Sequence, residues 1–371
     1  MKLAWTELRR RPGRFATATA ILAVIASLLM LLGGLLDGLI DGATSAVESQ
    51  PGEIIVFSST AESSFLRSRI TPEQRGTVEG VDGVDRVGGI GVAQLGARIP
   101  GNDDRDLADV ALYGYELAPD GVPEPPAPGT AYADRTLEAD GIEEGMTIEV
   151  GPQRTPVEIV GWVEGLVYSG QGTLWADADT WRQVINDNRP DAGVGDGVFQ
   201  SLVVQTAADA DPVAVAADID AATDDTTESL TLTEAVDAIP GVEQQRSTFN
   251  QIIGVTVIIA VIVVALFFAL LTVERTALYG VLKAIGAGTA TLFAGVLLQA
   301  VVVTAVASTI GALLAVALDL AVPSGGIPYT LLPTRVISSV LFLLVAAVVG
   351  CAFSLRRVLR IDPASAIGSA S

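Results

Sequence analysis

The chemistry open to this chain is bounded first by the groups it lacks. Its 371 residues include 43 aspartates and glutamates, 22 lysines and arginines, one cysteine and no histidine. Without histidine the commonest general base and metal ligand is missing, and no Ser–His pair can form. The single cysteine, Cys351, can make neither an intrachain disulfide nor a cysteine-cluster metal site. Lysine stands only at Lys2 and Lys283, and neither lies in a G-x-x-x-x-G-K-[ST] loop. The chain therefore has no phosphate-binding loop of that kind. A Ser–Lys pair would need one of these two lysines, and the topology below puts both in the cytoplasm. The carboxylates are too many for a pair of them to signify catalysis, and they are scattered rather than spaced as a metal loop. These absences speak against an enzyme, an intrinsic cofactor or a bound metal. The acidity speaks against nucleic acid, which needs a basic stripe.

The elements that must carry any function are apolar. Hydrophobic residues make up 50% of the chain and charged ones 18%, with a mean hydropathy of +0.49. Four uncharged stretches, Phe15–Leu36, Ile252–Val273, Leu292–Leu318 and Val336–Leu355, reach the roughly 20 residues needed to cross a bilayer. The first is longer than the roughly 7–15 residues of a signal-peptide core, so it reads as a retained span. The segments before the first span, between the second and third, and after the fourth hold ten basic residues against three acidic ones. The remainder holds 12 basic and 40 acidic residues. This bias predicts a multi-pass cell-membrane protein with both termini cytoplasmic and residues 41–250 extracytoplasmic. The acidity of the insert fits a solvated, self-repelling surface; cation capture or adaptation to high salt is the functional alternative.

The predicted fold is an α-helical membrane protein with four transmembrane helices and a large mixed α+β extracytoplasmic domain inserted after the first. In order, it has an amphipathic N-terminal helix (1–14), a span (15–36), stalks and outer domain (37–251) and a second span (252–273). A cytoplasmic segment (274–291), a third span (292–318), an external loop (319–335), a fourth span (336–355) and a tail (356–371) follow. Within the insert, strands are expected at Gly52–Ser59, Gly91–Ile99, Leu107–Tyr115, Thr147–Val150, Val157–Val163 and Ser201–Gln205. Thr71, Pro72 and Glu73 have the order of an N-cap, a first-turn proline and an acidic first turn. Pro212–Ala222 suggests a further helix, and the proline-rich Pro119–Gly129 a loop. Helical spacing continues past the first span through Leu39, Ile40, Ala43 and Val47, and precedes the second with a break at Pro240.

The segment after the second span reads ERTALYGVLKAIGAG. It resembles the E-R-x-x-E-x-x-x-L-[KR]-A-[IL]-G-A motif of the FtsX-like permease family, which includes the MacB and LolC types of transporter subunit. Glu274, Arg275, Leu282, Lys283, Ala284, Ile285, Gly286 and Ala287 match, while Leu278 replaces the usual second glutamate. Asp362, Pro363 and Ala366 resemble the family's closing r-x-D-P-x-x-A-l segment. LAWTELRRRPGRF at the N-terminus, GGLLDGL after Met30 and FLRSRI at Phe65–Ile70 are more similar to the subgroup of heme exporters of Gram-positive bacteria and DevC proteins.

The resemblance implies the permease subunit of an ABC transporter, working as a homodimer in membrane lipid with two copies of a separate ATPase. ATP and Mg would be held by that partner, as the missing phosphate-binding lysine requires. The matched segment Glu274–Ala287 would dock the ATPase, and the spans and stalks would transmit its motion outward. The implied cargo is hydrophobic or amphipathic, with heme the leading candidate. Met30, Gly34, Asp37 and Asp41 share one stripe of the first span, and without histidine a heme iron would turn to Met30, a tyrosine or a stalk carboxylate such as Glu243. The glycines beside Met30 would admit a flat ligand, or equally let two first spans pack closely. Two rival functions are a regulator of an extracellular cell-wall hydrolase and a membrane-anchored receptor.

Overall fold

The computed structural model describes residues 12–101, 106–274, 281, 285, 288–321 and 328–358. The N-terminal basic helix, most of the Glu274–Ala287 segment and the closing Asp362–Ala366 segment lie outside the described residues. The chain divides into two compact units, one made of Met1–Gly38 with Arg246–Ser371, the other of Leu39–Gln245.

Among the described residues, four helices are long and apolar enough to cross a membrane: α1 (Pro12–Glu48), and three later ones, Val242–Glu274, Thr289–Ala321 and Pro333–Val358. In hydrocarbon every backbone N–H and C=O must be satisfied within the protein, and an unbroken helix does so. Small residues let the helices approach. Gly311 faces Ala26 and Ser27 of α1, and Gly350 faces the backbone of Val261 and Ala265. Phe15, Leu22, Leu29, Val264, Phe268, Val303, Leu343 and Cys351 share the interior of this unit. Ile258, Ile262, Leu266 and Leu270 recur along the exposed side of Val242–Glu274, as suits a helix facing lipid.

The second unit is built on a ten-stranded sheet. Its strands are β1 (Ile54–Ser58), β2 (Val84–Arg98), β3 (Leu107–Tyr115), β4 (Thr130–Asp134), β5 (Thr147–Val150), β6 (Thr155–Val163), β7 (Val167–Tyr168), β8 (Gln171–Asp177), β9 (Ser201–Thr206) and β10 (Thr227–Thr231). The order is β10-β1-β9-β2-β3-β8-β4-β6-β5, with β7 beside β8. β5 also pairs with β2, Ala97 opposite Val150 and Arg98 opposite Glu149. Six strands from β2 to β5 thus close into a ring, and β9, β1 and β10 extend from it. Alternation along β3 splits the interior in two, as the period of a strand requires. Val110 and Leu112 join one core with Ile148, Ile159 and Leu174. Ala111, Tyr113 and Tyr115 join the other with Trp175, Phe57 and Val203.

Four shorter helices complete the unit: α2 (Pro72–Glu79), α3 (Ala178–Asn188), α4 (Pro212–Ala222) and α5 (Leu232–Asp237). The membrane-length helices then become α6 (Val242–Glu274), α7 (Thr289–Ala321) and α8 (Pro333–Val358). Thr71 caps α2 in a reciprocal capping box with Gln74, as its sequence suggested. Ala46 and Val47 near the end of α1 pack with Val236, Ile239 and Val242 in the second core.

The sequence expectation fell short in particular places. β2 begins at Val84 rather than Gly91, and β4, β7, β8, β10 and α3 were not anticipated. Glycines at positions 88 and 89 made the start of β2 look unlike a strand. The glycines at 89 and 91 are small because a Cβ there would strike the rings of Phe199 and Trp181. α3 is fixed by Asp177, whose carboxylate accepts from the N–H groups of Asp179 and Thr180, and by Trp181, which is fully buried.

Candidate functional site

Within the first unit, one face of α1 is built for close contact. Gly33 and Gly34 lie one turn beyond Met30 and Asp37 and Gly38 two turns beyond it, and the segment Pro328–Arg335 covers them. A Cβ at Gly33 would come within 2.8 Å of Arg335 Cγ, one at Gly34 within 2.5 Å of the Tyr329 ring, and one at Gly38 within 2.5 Å of the Pro328 carbonyl carbon. Gly38 is thus required by the approach of the Pro328 backbone, and Gly34 leaves room for the Tyr329 ring. Thr330 N–H donates to the Gly34 carbonyl at 3.1 Å, and Tyr329 Oη to the Ala315 carbonyl at 3.4 Å.

An ion pair closes the contact. Arg335 donates from Nε to Asp37 Oδ2 at 2.9 Å and from its terminal nitrogen to Oδ1. The side chains of Arg335 and Asp37 are 25% and 11% exposed. A forked guanidinium–carboxylate contact in such a sheltered place is held far more firmly than a surface pair. Burial, with Asp319 nearby, pushes the Tyr329 phenol up from its ordinary range, so it stays a neutral donor.

The sequence-derived cargo residues are thereby placed. Met30 is fully buried, Gly34 is covered by Tyr329, and Asp37 is engaged by Arg335. The space proposed beside Met30 for a flat ligand or a second first span is filled, in this arrangement, by the chain's own Pro328–Arg335. Glu243 lies exposed in the first turn of α6 and belongs to the other unit. Of the ATPase-coupling set, Glu274 ends α6 and Ile285 is 78% exposed. Arg275, Leu282, Lys283, Ala284, Gly286 and Ala287 lie outside the described residues. Arg335, at the end of the external loop expected at 319–335, stands in the first turn of α8. Its partner is 298 positions away, and no local signal joins them.

Elsewhere the second unit has an open cleft of about 400 Å³ lined by Arg75, Glu116, Asp177, Asp179, Arg182 and Asp196. Its arginines are engaged, Arg75 with Glu79 and Glu116 and Arg182 with Asp179. Among the described residues no cluster of three or more metal-ligating side chains occurs.

This arrangement of spans and insert accompanies a family match. Residues 250–363 match the FtsX-like permease C-terminal domain, and with its four apolar helices the chain is a multi-pass membrane protein carrying a domain of that type. It is 21% identical to a Staphylococcus epidermidis protein named as the hemin transport system permease HrtB, over 99% of both chains. It is also 38% identical to an uncharacterized ABC transporter permease of Mycobacterium tuberculosis, over 30% of this chain and 31% of that one. The periplasmic region of MacB from Actinobacillus actinomycetemcomitans superposes with a TM-score of 0.36 at 10% identity, covering 50% of this chain and 92% of that one.

Proposed function

We propose that this chain is the membrane subunit of an exporter for a hydrophobic or amphipathic cargo of the heme class, driven by a separate ATPase. The observation that carries the reading is similarity along 99% of the chain to a permease whose name assigns it to hemin transport. The absence of any phosphate-binding loop supports an ATPase, with its ATP and Mg, supplied by another chain. Two copies of the permease in lipid would engage two ATPase subunits through Glu274–Ala287. Both termini then face the cytoplasm and residues 41–250 face outward, as the charge bias favours. ATP-driven closure of the partners would shift the spans between two packed arrangements and carry the motion through α1 and α6.

The test is co-purification of the full chain from its own cells with an ABC ATPase, followed by ATP turnover with hemin and without. Hemin should change turnover in the parent complex. Arg275→Glu and Gly286→Trp should keep hydrolysis while abolishing hemin export from cells. Failure to recover any ATPase would refute the partner, and full export by both variants would refute the docking segment.

A further inference from the structure

We infer that Pro328–Arg335 is a releasable strap on the membrane unit, closed over the Gly33–Gly38 face of α1 and latched by Arg335 and Asp37. The inference rests on the exporter reading for its purpose, but its structural content stands separately. Residues 328–332 form neither helix nor strand. Pro333 opens α8, and a proline there marks a helix start because it has no N–H to donate backward. Residues 328–332 can therefore swing away without unwinding a turn of helix, while Arg335, in the first turn of α8, lets go of Asp37 by its side chain alone. What holds it is short and local: the Thr330–Gly34 backbone bond, the long Tyr329–Ala315 bond, the ring of Tyr329 on Gly34, and the ion pair.

The ion pair makes the device two-state. Half-separated, it would leave two sheltered charges without partners, which is costlier than either the closed pair or two hydrated groups. Release would uncover a groove-like face floored by Gly33, Gly34 and Gly38, rimmed by the cation of Arg335 and the carboxylate of Asp37. A flat amphipathic molecule moving along the first span meets this face only when the strap is open. The strap thus acts as an outer gate on the membrane unit.

Two measurements decide it. First, hydrogen exchange of the full chain in nanodiscs is followed at the peptide covering 328–335. Asp37→Asn should speed exchange at Thr330 by about tenfold, and the reversed pair Asp37→Arg with Arg335→Asp should restore protection. Unchanged exchange in Asp37→Asn would overturn the latch whatever the cargo. Second, Gly33→Cys with Arg335→Cys in a Cys351→Ser background places two Cβ atoms at most about 4.3 Å apart, within disulfide reach. In proteoliposomes with the ATPase and hemin as probe, the oxidised protein should stop export and reduction should restore it. Full export by the oxidised protein would overturn the gate. A parent that exports no hemin would count against the cargo alone, leaving the exchange result to decide the strap.

Discussion

Replacing Gly91 with alanine should destabilise the second unit more than any surface change, although it adds one methyl group. The new carbon would lie 2.6 Å from Cη2 of Trp181 and nearer still to two other indole atoms. Carbon atoms rest at about 3.5–4.0 Å, so the ring must retreat by roughly 1 Å. It has nowhere to go. A Cβ position at Gly114, opposite Gly91 in the β2–β3 ladder, lies 2.7 Å from Trp181 Cγ. Phe199 stacks on the indole at 6.0 Å and an interplanar angle of 3°. Overpacking costs about 1–3 kcal/mol, and this confined site belongs at the upper end. For a unit of this size each kcal/mol lowers the melting temperature by about 2–4 °C, giving a fall of roughly 6–12 °C. The assay is near-ultraviolet circular dichroism of the purified chain during heating. Trp181→Leu supplies the control, since the double variant with Gly91→Ala should be less destabilised than the sum by about 1 kcal/mol or more. Strict additivity, or a Gly91→Ala protein melting with the parent, would refute the packing argument.

Three further outcomes follow from other sites. Asp220 accepts from Ser229 N–H, Ser229 Oγ and Thr227 Oγ1 at 3.1, 2.7 and 3.0 Å along the terminal strand β10; Asp220→Ala should cost about 1–3 kcal/mol and promote association through the freed edge. Light scattering and melting would both show this, and a monodisperse variant with parental stability would contradict it. Glu234 is held below the ordinary carboxylate value of 4.5 by accepting the Thr231 hydroxyl and backbone N–H. Its contribution is present above that value and lost as pH falls through the lowered folded one, so Glu234→Gln should flatten the acid side of the melting profile; equal slopes would exclude the effect. Thr304 and Ser308 in α7 bury hydroxyls that make no hydrogen bond. Thr304→Val and Ser308→Ala should leave thermal stability in detergent unchanged or raise it, and a clear loss would reveal a partner not seen in this arrangement.

The spans were legible because their signal is local and redundant. Some twenty uncharged residues cannot be mistaken for much else, and α1, α6, α7 and α8 contain the four expected stretches. Elements whose cause lies within a few residues were equally plain, such as α2 with its Thr71 cap and α4 from Pro212 to Ala222. β2 was half hidden because its glycines answer to Trp181 and Phe199, far along the chain. β8 and α3 were missed although Asp177 carried a capping signal. The site divides the same way. Sequence spacing put Gly34 and Asp37 on one stripe with Met30, yet what fills that stripe is Tyr329 and Arg335. Pairing between the first and last membrane helices is a tertiary fact with no sequence period to betray it.

The way β1 meets β10 bears on how this unit would respond to pulling. β1 follows α1 and β10 precedes α5 and α6, and the two strands lie antiparallel with Ile54 opposite Thr231. Chain therefore enters and leaves at the same end of this five-residue ladder. Tension applied through α1 and α6 would peel the ladder from Ile54 and Thr231 one bond at a time, the weakest way to load a strand pair. Standing before that end are the Leu232 N–H bond to the Glu53 carbonyl at 2.8 Å and the packing of Ala46 and Val47 on Val236, Ile239 and Val242. These few contacts are a mechanical fuse: while they hold, the entering and leaving chains stay together at this edge, and once they part the sheet opens like a zipper from its rim.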